Sequence, residues 1–208
     1  MLTKVHPSDT TLYAAPMSHG AGLYSIMHVL AGARHAIPVS GGFDEEEIFG
    51  LAETLQNVHM FAAPTMVKRL TTFSRKNGYD GDGIRTIVYA GGPMYLSDII
   101  EAVEQFGSLF IQVYGQGECP MGITVLPRFE VADRDSKKLK KRLQSVGSAQ
   151  SAVEVQIGNK EGAAMTPGEI GEIMVRGELV MPGYWDNREA TSKTIVNGWL
   201  LTGDMLSL

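Results

Sequence analysis

One cysteine, Cys119, stands in the whole chain, which excludes an internal disulfide and a cysteine-based structural zinc site and fits a reducing compartment. Basic charge is also scarce. With 18 Lys and Arg against 23 Asp and Glu, the net charge is -5, which argues against nucleic-acid binding, because polyanion affinity comes mainly from cations neutralising phosphates. Small anionic ligands held by local donors stay compatible with that balance. No apolar stretch approaches membrane-spanning length and no signal-peptide pattern opens the chain, so a cytoplasmic protein is expected. Two catalytic signatures are missing as well. There is no lysine-ending Walker A loop, and Ser18 follows Pro16 and Met17 where a G-x-S-x-G elbow needs a glycine two residues upstream. His19 and His28 lie nine residues apart, the first in an expected loop and the second in an expected apolar helix, so they make no metal pair.

What is present is an ordinary globular composition, 44% hydrophobic and 20% charged over 208 residues, enough for one domain or two small ones. Up to about Glu118 short apolar runs alternate with helical periods. Strands are expected at Leu12 to Ala15, Ala36 to Val39, Val58 to Ala62, Thr86 to Ala90 and Leu109 to Tyr114. Between them, Leu23 to Ala31 reads as an apolar helix. Asp44 reads as an N-cap with Glu47 completing a capping box, Pro64 as a first-turn proline, and Ser97 as the cap of a helix carrying Ile99, Ile100, Val103 and Phe106. This alternation predicts an α/β fold with a mostly parallel sheet, flanking helices and right-handed crossovers.

Beyond Arg128 the pattern changes. The stretch "RFEVADRDSKKLKKRL" mixes both signs of charge and reads as a solvated linker or helix. The runs "SAVEVQIGN", "GEIGEIMVRG" and "GWLLTGD" then read as a small antiparallel sheet or barrel. The expected division is an α/β subdomain over 1–127, a charged linker or helix over 128–144, and a β-rich subdomain over 145–208. Because the sequence stops in mid-pattern at "NGWLLTGDMLSL", it reads as a piece of a longer protein.

Residues suited to chemistry collect after the expected strands, in "APMSHGAG" (Ala15 to Gly22), "SGG" (Ser40 to Gly42), "AAPT" (Ala62 to Thr65), "AGGP" (Ala90 to Pro93) and "YGQGECP" (Tyr114 to Pro120). In open α/β sheets ligands bind outside the carboxyl ends of the strands, so five such loops predict a wide cleft. The last loop is not a dinucleotide fingerprint, since Pro120 stands where the third glycine belongs. Glycine loops can still offer backbone N–H groups to phosphate, and a glutamate beside them can hold a magnesium ion bridging phosphate oxygens.

In order along the chain, "PMSHGAG", "AGGPM", "VYGQGE", "GEIGEIMVRGELVMPGYWDNREAT" and "NGWLLTGDM" resemble the motifs of the adenylate-forming acyl-CoA synthetases, acid ligases and luciferases. The resemblance spans Pro16 to Met205 and implies the family's large N-terminal domain. It places His19, Ala90, Gly91 and Met121 at the pocket for the carboxylic acid. It places Gly91, Gly92, Pro93, Tyr114, Gly115, Gln116 and Gly117 around the nucleotide, Asp204 on the ribose hydroxyls, and Glu118 on magnesium as the catalytic carboxylate. ATP, Mg2+ and coenzyme A are the implied co-reactants. Gly20, Ala21 and Gly22 leave room for a bulky acyl or aryl group.

Three departures qualify the resemblance. Gly117 replaces a threonine, Arg188 replaces a proline in "DNREAT", and the chain contains neither the family's Ser/Thr/Gly-rich phosphate loop nor its small C-terminal domain with the catalytic lysine. The chain is therefore expected to be an inactive fragment of an AMP-forming ligase. The alternatives are a non-catalytic module binding a nucleotide or acyl group, and an α/β interaction domain whose glycine loops are only turns.

Overall fold

A computed structural model describes residues 3–135, 137–159, 161–166 and 168–206. The chain divides into two compact units, Met1–Val113 with Val125–Gly147, and Tyr114–Thr124 with Ser148–Leu208. The first unit opens with β1 (Thr10–Leu12), α1 (Gly20–Tyr24), α2 (Ile26–Ala31), β2 (Arg34–Ala36), α3 (Glu45–Leu55), β3 (Val58–Ala62), α4 (Pro64–Asn77), β4 (Ile84–Tyr89) and α5 (Leu96–Phe106). Strands β5 (Phe110–Gln116) and β6 (Cys119–Leu126) each run through a unit boundary, and α6 (Arg128–Ala132) and α7 (Leu139–Leu143) belong to the first unit. The stretch expected as a charged linker or helix is thus built into that unit, with Val131 and Leu143 in its core.

In the first unit β2, β1, β3 and β4 pair in parallel, and β5 pairs in parallel with β4. The complete sheet runs β2-β1-β3-β4-β5-β6-β7, with β7 at Ser148–Ala149. The strand order reverses between β1 and β3, which makes the loops after those strands a topological switch point. Strand β3 is buried throughout. Its alternation puts Val58, Met60 and Ala62 in one core with residues of α3, α4 and α5, while Phe61 lies against Gly20 of α1 and His59 against Tyr24 and His28.

Local signals behave as their chemistry dictates. Asp44 Oδ1 accepts from Glu47 N–H at 2.8 Å and Pro64 opens α4. Four expectations need correction. The Glu47 carboxylate does not close a capping box, because it accepts from Val39 and Ser40 N–H instead. Ser97 is not a cap: α5 starts at Leu96 after Tyr95. The helix expected over Leu23 to Ala31 is two short ones, broken at Ser25, whose hydroxyl donates to Gly22 O at 2.6 Å. Strands expected at Leu12 to Ala15 and Ala36 to Val39 end earlier, at Leu12 and Ala36, where their mutual register ends.

Beneath the sheet lies a polar cluster with no counterpart in the sequence expectations. Asp9 is fully buried; its Oδ1 accepts from Arg85 Nη1 at 2.6 Å, its Oδ2 accepts from His6 N–H at 2.7 Å, and His59 Nε2 stands 3.1 Å from Oδ2. Tyr24 Oη lies 3.3 Å from His59 Nδ1, and the fully buried His28 ring meets the His59 ring edge-on at 5.0 Å. Burial pushes the His59 pKa down to about 4 against the pull of Asp9, and it lowers that of His28 too. Both rings are therefore neutral in the fold near pH 7, while an unfolded histidine takes a proton near pH 6.5. Stability is fully present above about pH 6.5 and is lost as pH falls toward 4, by about 3 kcal/mol for His59. Chemical unfolding at stepped pH is expected to show this loss. A flat profile between pH 7 and 4 would contradict the neutral His59.

The second unit holds the tip of the β5–β6 hairpin, then β7, β8 (Val153–Gly158), β9 (Gly171–Gly177), α8 (Arg188–Thr194), β10 (Ile195–Val196) and β11 (Trp199–Leu206). The antiparallel sheet expected here is present, in the order β10-β11-β9-β8. Cys119 and Ile123 of the hairpin pack into its core with Val153, Ile157, Ile173, Val175 and Leu200. Burial raises the Cys119 pKa, as suits an inert core thiol. No described helix is long and apolar enough to cross a membrane.

Candidate functional site

In the second unit the quoted "YGQGECP" segment is the turn of a hairpin rather than a free loop, with Gly117 and Glu118 between β5 and β6. Gly115 is required by that turn, because a Cβ there would stand 2.4 Å from Met121 N and 2.7 Å from Cys119 O. Its role is close backbone packing. Gly117 differs: nothing lies within 4 Å of its would-be Cβ, so the position has room for a side chain.

Glu118 is half-buried and tied to one neighbouring segment twice. Its carbonyl accepts from Met181 N–H at 2.8 Å, and its Oε1 accepts from the Tyr184 hydroxyl at 2.5 Å. The same carboxylate pushes the Tyr184 pKa up, which keeps the phenol a donor. Across the unit, β11 breaks register on β9 between Leu201 and Met205, so Thr202, Gly203 and Asp204 leave the ladder. Bulges of this kind re-aim side chains. Gly203 takes a left-handed φ of 78° and donates its N–H to Glu172 Oε1 at 2.6 Å. Asp204 Oδ2 accepts from the Tyr114 hydroxyl at 2.5 Å, and burial, then that bond, push the Tyr114 pKa above its ordinary value.

A cavity of about 480 Å³ opens here, lined by Gln116, Glu118, Glu172, Tyr184, Lys193, Thr194, Leu201, Thr202 and Gly203. Two of the residues expected from sequence, Gln116 and Glu118, line it, and a further pair, Tyr114 and Asp204, bond to each other. Glu172, Tyr184, Lys193, Thr194 and Thr202 were not expected as site residues. Glu172, Tyr184 and Thr202 lie inside the quoted motifs "GEIGE", "GYW" and "LLTGD", so the motifs carried a signal that their best-known positions masked. Met121 holds a φ of 55° and its carbonyl accepts from Gln150 Nε2 at 2.7 Å.

In the first unit, the loops after β1, β3 and β4 come together. His19 precedes α1, and its Cε1 would meet a Cβ on Gly91 at 3.9 Å. Gly91 has a φ of 83°, and Gly92 lies beside Pro64. Ala90 N–H donates to Ala62 O at 3.2 Å, joining the two strand ends that carry Ala63 to Thr65 and Gly91 to Pro93. The space expected from Gly20, Ala21 and Gly22 is not open. A Cβ on Gly20 would strike Phe61 at 2.6 Å, one on Gly22 would strike Met17 O at 1.9 Å, and Ala21 is buried. These small residues let α1 pack on β3 and on its own entry turn.

A hard dication fits the second unit's donor set only in part. Glu118 and Glu172 bring two carboxylates to one cavity, Glu172 Oε1 already accepting from Gly203 N–H, and among the described residues no group of three or more His, Cys, Asp or Glu could hold a metal ion. That composition suits magnesium, which uses one or two carboxylates and completes its shell with water and substrate phosphates, better than an all-protein cage.

The model of the AMP-binding enzyme family matches residues 2–185 of the chain. The chain is 31% identical over 194 residues to a medium/long-chain-fatty-acid–CoA ligase of Mycobacterium tuberculosis, covering 93% of this chain and 32% of that protein. It is 29% identical over 208 residues to a feruloyl-CoA synthase of an Amycolatopsis species, covering 99% of this chain and 40% of that one. Among solved structures, it is similar to an amide bond synthetase from Marinactinospora thermotolerans (TM-score 0.84, 27% identity, covering all of this chain and 40% of that one). It is also similar to the O-succinylbenzoate coenzyme A synthetase of Bacillus subtilis in complex with AMP (TM-score 0.81, 27% identity, 98% of this chain and 40% of that one). The chain thus spans about a third to two fifths of the length of these relatives.

Proposed function

The chain belongs to the AMP-binding enzyme family, and on that premise we propose that the protein carrying it is an AMP-forming acid–thiol ligase. A carboxylate oxygen of the acid attacks the α-phosphorus of ATP, the bond to pyrophosphate breaks, and an acyl-adenylate forms. The sulfur of a thiol, coenzyme A, then attacks the acyl carbon and AMP leaves. The observation that carries this reading is the Glu118 carboxylate, hydrogen-bonded to Tyr184 in the lining of a cavity in the same unit as the Tyr114–Asp204 pair.

Asp204 accepts from the ribose hydroxyls while Tyr114 steadies its Oδ2. In the first unit, Gly91 and Gly92 leave the backbone open to the acid, and His19 walls the acid pocket beside Gly91. Magnesium, when bound at Glu118, neutralises phosphate charge. In this reading the nucleophiles are the acid and the thiol, so the chain's contribution is positioning.

The test is pyrophosphate release by the protein carrying this chain, with ATP and a panel of acids that includes a medium-chain fatty acid and a ferulate-type acid. Release that requires one class of acid is expected, and acid-independent ATP hydrolysis would overturn the reading. The isolated 208-residue chain is expected to show no turnover. A second reading, transfer of the acyl group to an amine, is favoured by the likeness to an amide bond synthetase. Offering coenzyme A and an amine together, with mass analysis of the product, separates thioester from amide.

Gly117→Thr is expected to change stability by less than about 0.5 kcal/mol, since its Cβ meets open space. It should preserve or lower the KM for ATP by restoring a hydroxyl near phosphate. A several-fold rise in that KM would show that the bare backbone N–H, and not a side chain, serves there.

A further inference from the structure

We propose that Tyr184 is a positioning residue for the Glu118 carboxylate, its hydroxyl engaging Oε1 so that Oε2 is left for a divalent cation. The inference rests on the reading of Glu118 as the magnesium ligand and extends it to a residue that none of the matched motifs assigns to the site. Its basis is the mount on which the tyrosine stands. Tyr184 N–H donates to Thr191 Oγ1 at 2.9 Å, Thr191 Oγ1 donates to Asn187 O at 2.8 Å, and Asn187 caps α8 by accepting from Ala190 N–H at 3.0 Å.

Gly183, immediately before, takes a φ of 150°, and a Cβ there would press on Thr191 at 2.8 Å. Three residues before Tyr184, Met181 N–H holds the Glu118 carbonyl. The segment is thus fixed both to the start of α8 and to the backbone of the residue it orients, so the phenol reaches Oε1 with little freedom left. Among the described residues Oε2 has no hydrogen-bond partner. A charge-assisted bond from a rigidly held donor orients a carboxylate without neutralising it, and such outer partners commonly govern metal affinity.

A purely structural tyrosine would affect folding or nucleotide binding in general. A positioning tyrosine affects only the part of nucleotide affinity that depends on metal. The experiment is equilibrium binding of ATP by the protein carrying this chain, once in EDTA and once in saturating magnesium, for wild type, Tyr184→Phe, Glu118→Gln and the double variant. Tyr184→Phe is expected to cut the magnesium-dependent gain by about tenfold, with affinity in EDTA unchanged within about twofold. The double variant should be no weaker than Glu118→Gln alone.

Thr191→Val, which leaves the ring intact and removes the acceptor for Tyr184 N–H, is expected to give a smaller loss of the same kind. It stands in if the Phe variant unfolds. Full magnesium gain in Tyr184→Phe, or equal losses with and without metal, would overturn the positioning role while leaving Glu118 as ligand. A full gain in Glu118→Gln would instead remove the ligand reading on which the proposal rests.

Discussion

Glu118→Ala in the protein carrying this chain is expected to lower acid-dependent pyrophosphate release by at least about 100-fold, which is about 2.7 kcal/mol of transition-state stabilisation. The reasoning is electrostatic. During attack on the α-phosphorus, negative charge grows on pyrophosphate, and the proposed reading gives Glu118, in the cavity lining, the task of holding the neutralising cation. Glu172, the other acid lining that cavity, is already engaged with Gly203 N–H. Loss of stability should be small by comparison, because Glu118 is only half-buried and its bond to Tyr184 lies at the surface. The measurement pairs pyrophosphate release with a thermal midpoint. Unchanged release from a folded Glu118→Ala protein would sink the assignment of this residue to catalysis.

The largest stability effect is expected at Asp9. Replacing it with alanine removes the acceptor for His6 N–H and for Arg85, and it leaves His59 beside an apolar gap. Breaking a buried pair by removing one partner costs about 3–5 kcal/mol. The lower end applies here, because Arg85 is 40% exposed and keeps its water, while His59 is neutral and does not become a stranded ion. Since a whole domain is stable by only about 5–15 kcal/mol, even about 3 kcal/mol is a large fraction. Urea unfolding should show the midpoint falling accordingly, with Asp9→Asn, which keeps an acceptor oxygen, less affected. An unfolding free energy within about 0.5 kcal/mol of wild type would mean that the cluster contributes nothing net.

Which elements were legible follows from how local their causes are. Strand β3 and the start of α4 lie where the sequence places them, because a continuous apolar run and a proline with fixed φ act through their own residues. The Asp44 cap is equally local. The break at Ser25 depends on a hydroxyl returning to Gly22 O and on α1 lying against Phe61, a residue far along the chain. Glu47 was free to close a capping box, yet the loop at Val39 and Ser40 presents two N–H groups that compete for its carboxylate. That choice turns on how the loop folds back onto the start of α3, which hydrophobic periodicity does not encode even though Val39 and Ser40 lie only eight and seven residues upstream.

The same division runs through the candidate site. From its residues alone the chain is readable as α/β with a β-rich end, with small-residue loops after the strands and acids at 118 and 204. Family resemblance follows from that order of motifs, and it extends over nearly the whole chain. Only the folded chain decides what those acids touch. Tyr184 meets Glu118 across 66 positions, Tyr114 meets Asp204 across 90, and Arg85 meets Asp9 across 76. Each of these bonds is a few ångströms long and needs backbone remote in sequence to be placed to match; for Tyr114–Asp204 that includes the bulge that displaces Thr202 to Asp204 from the ladder. A one-residue slip in register would turn those side chains to the opposite face, which is why the pairing belongs to the tertiary structure and the acids themselves to the sequence.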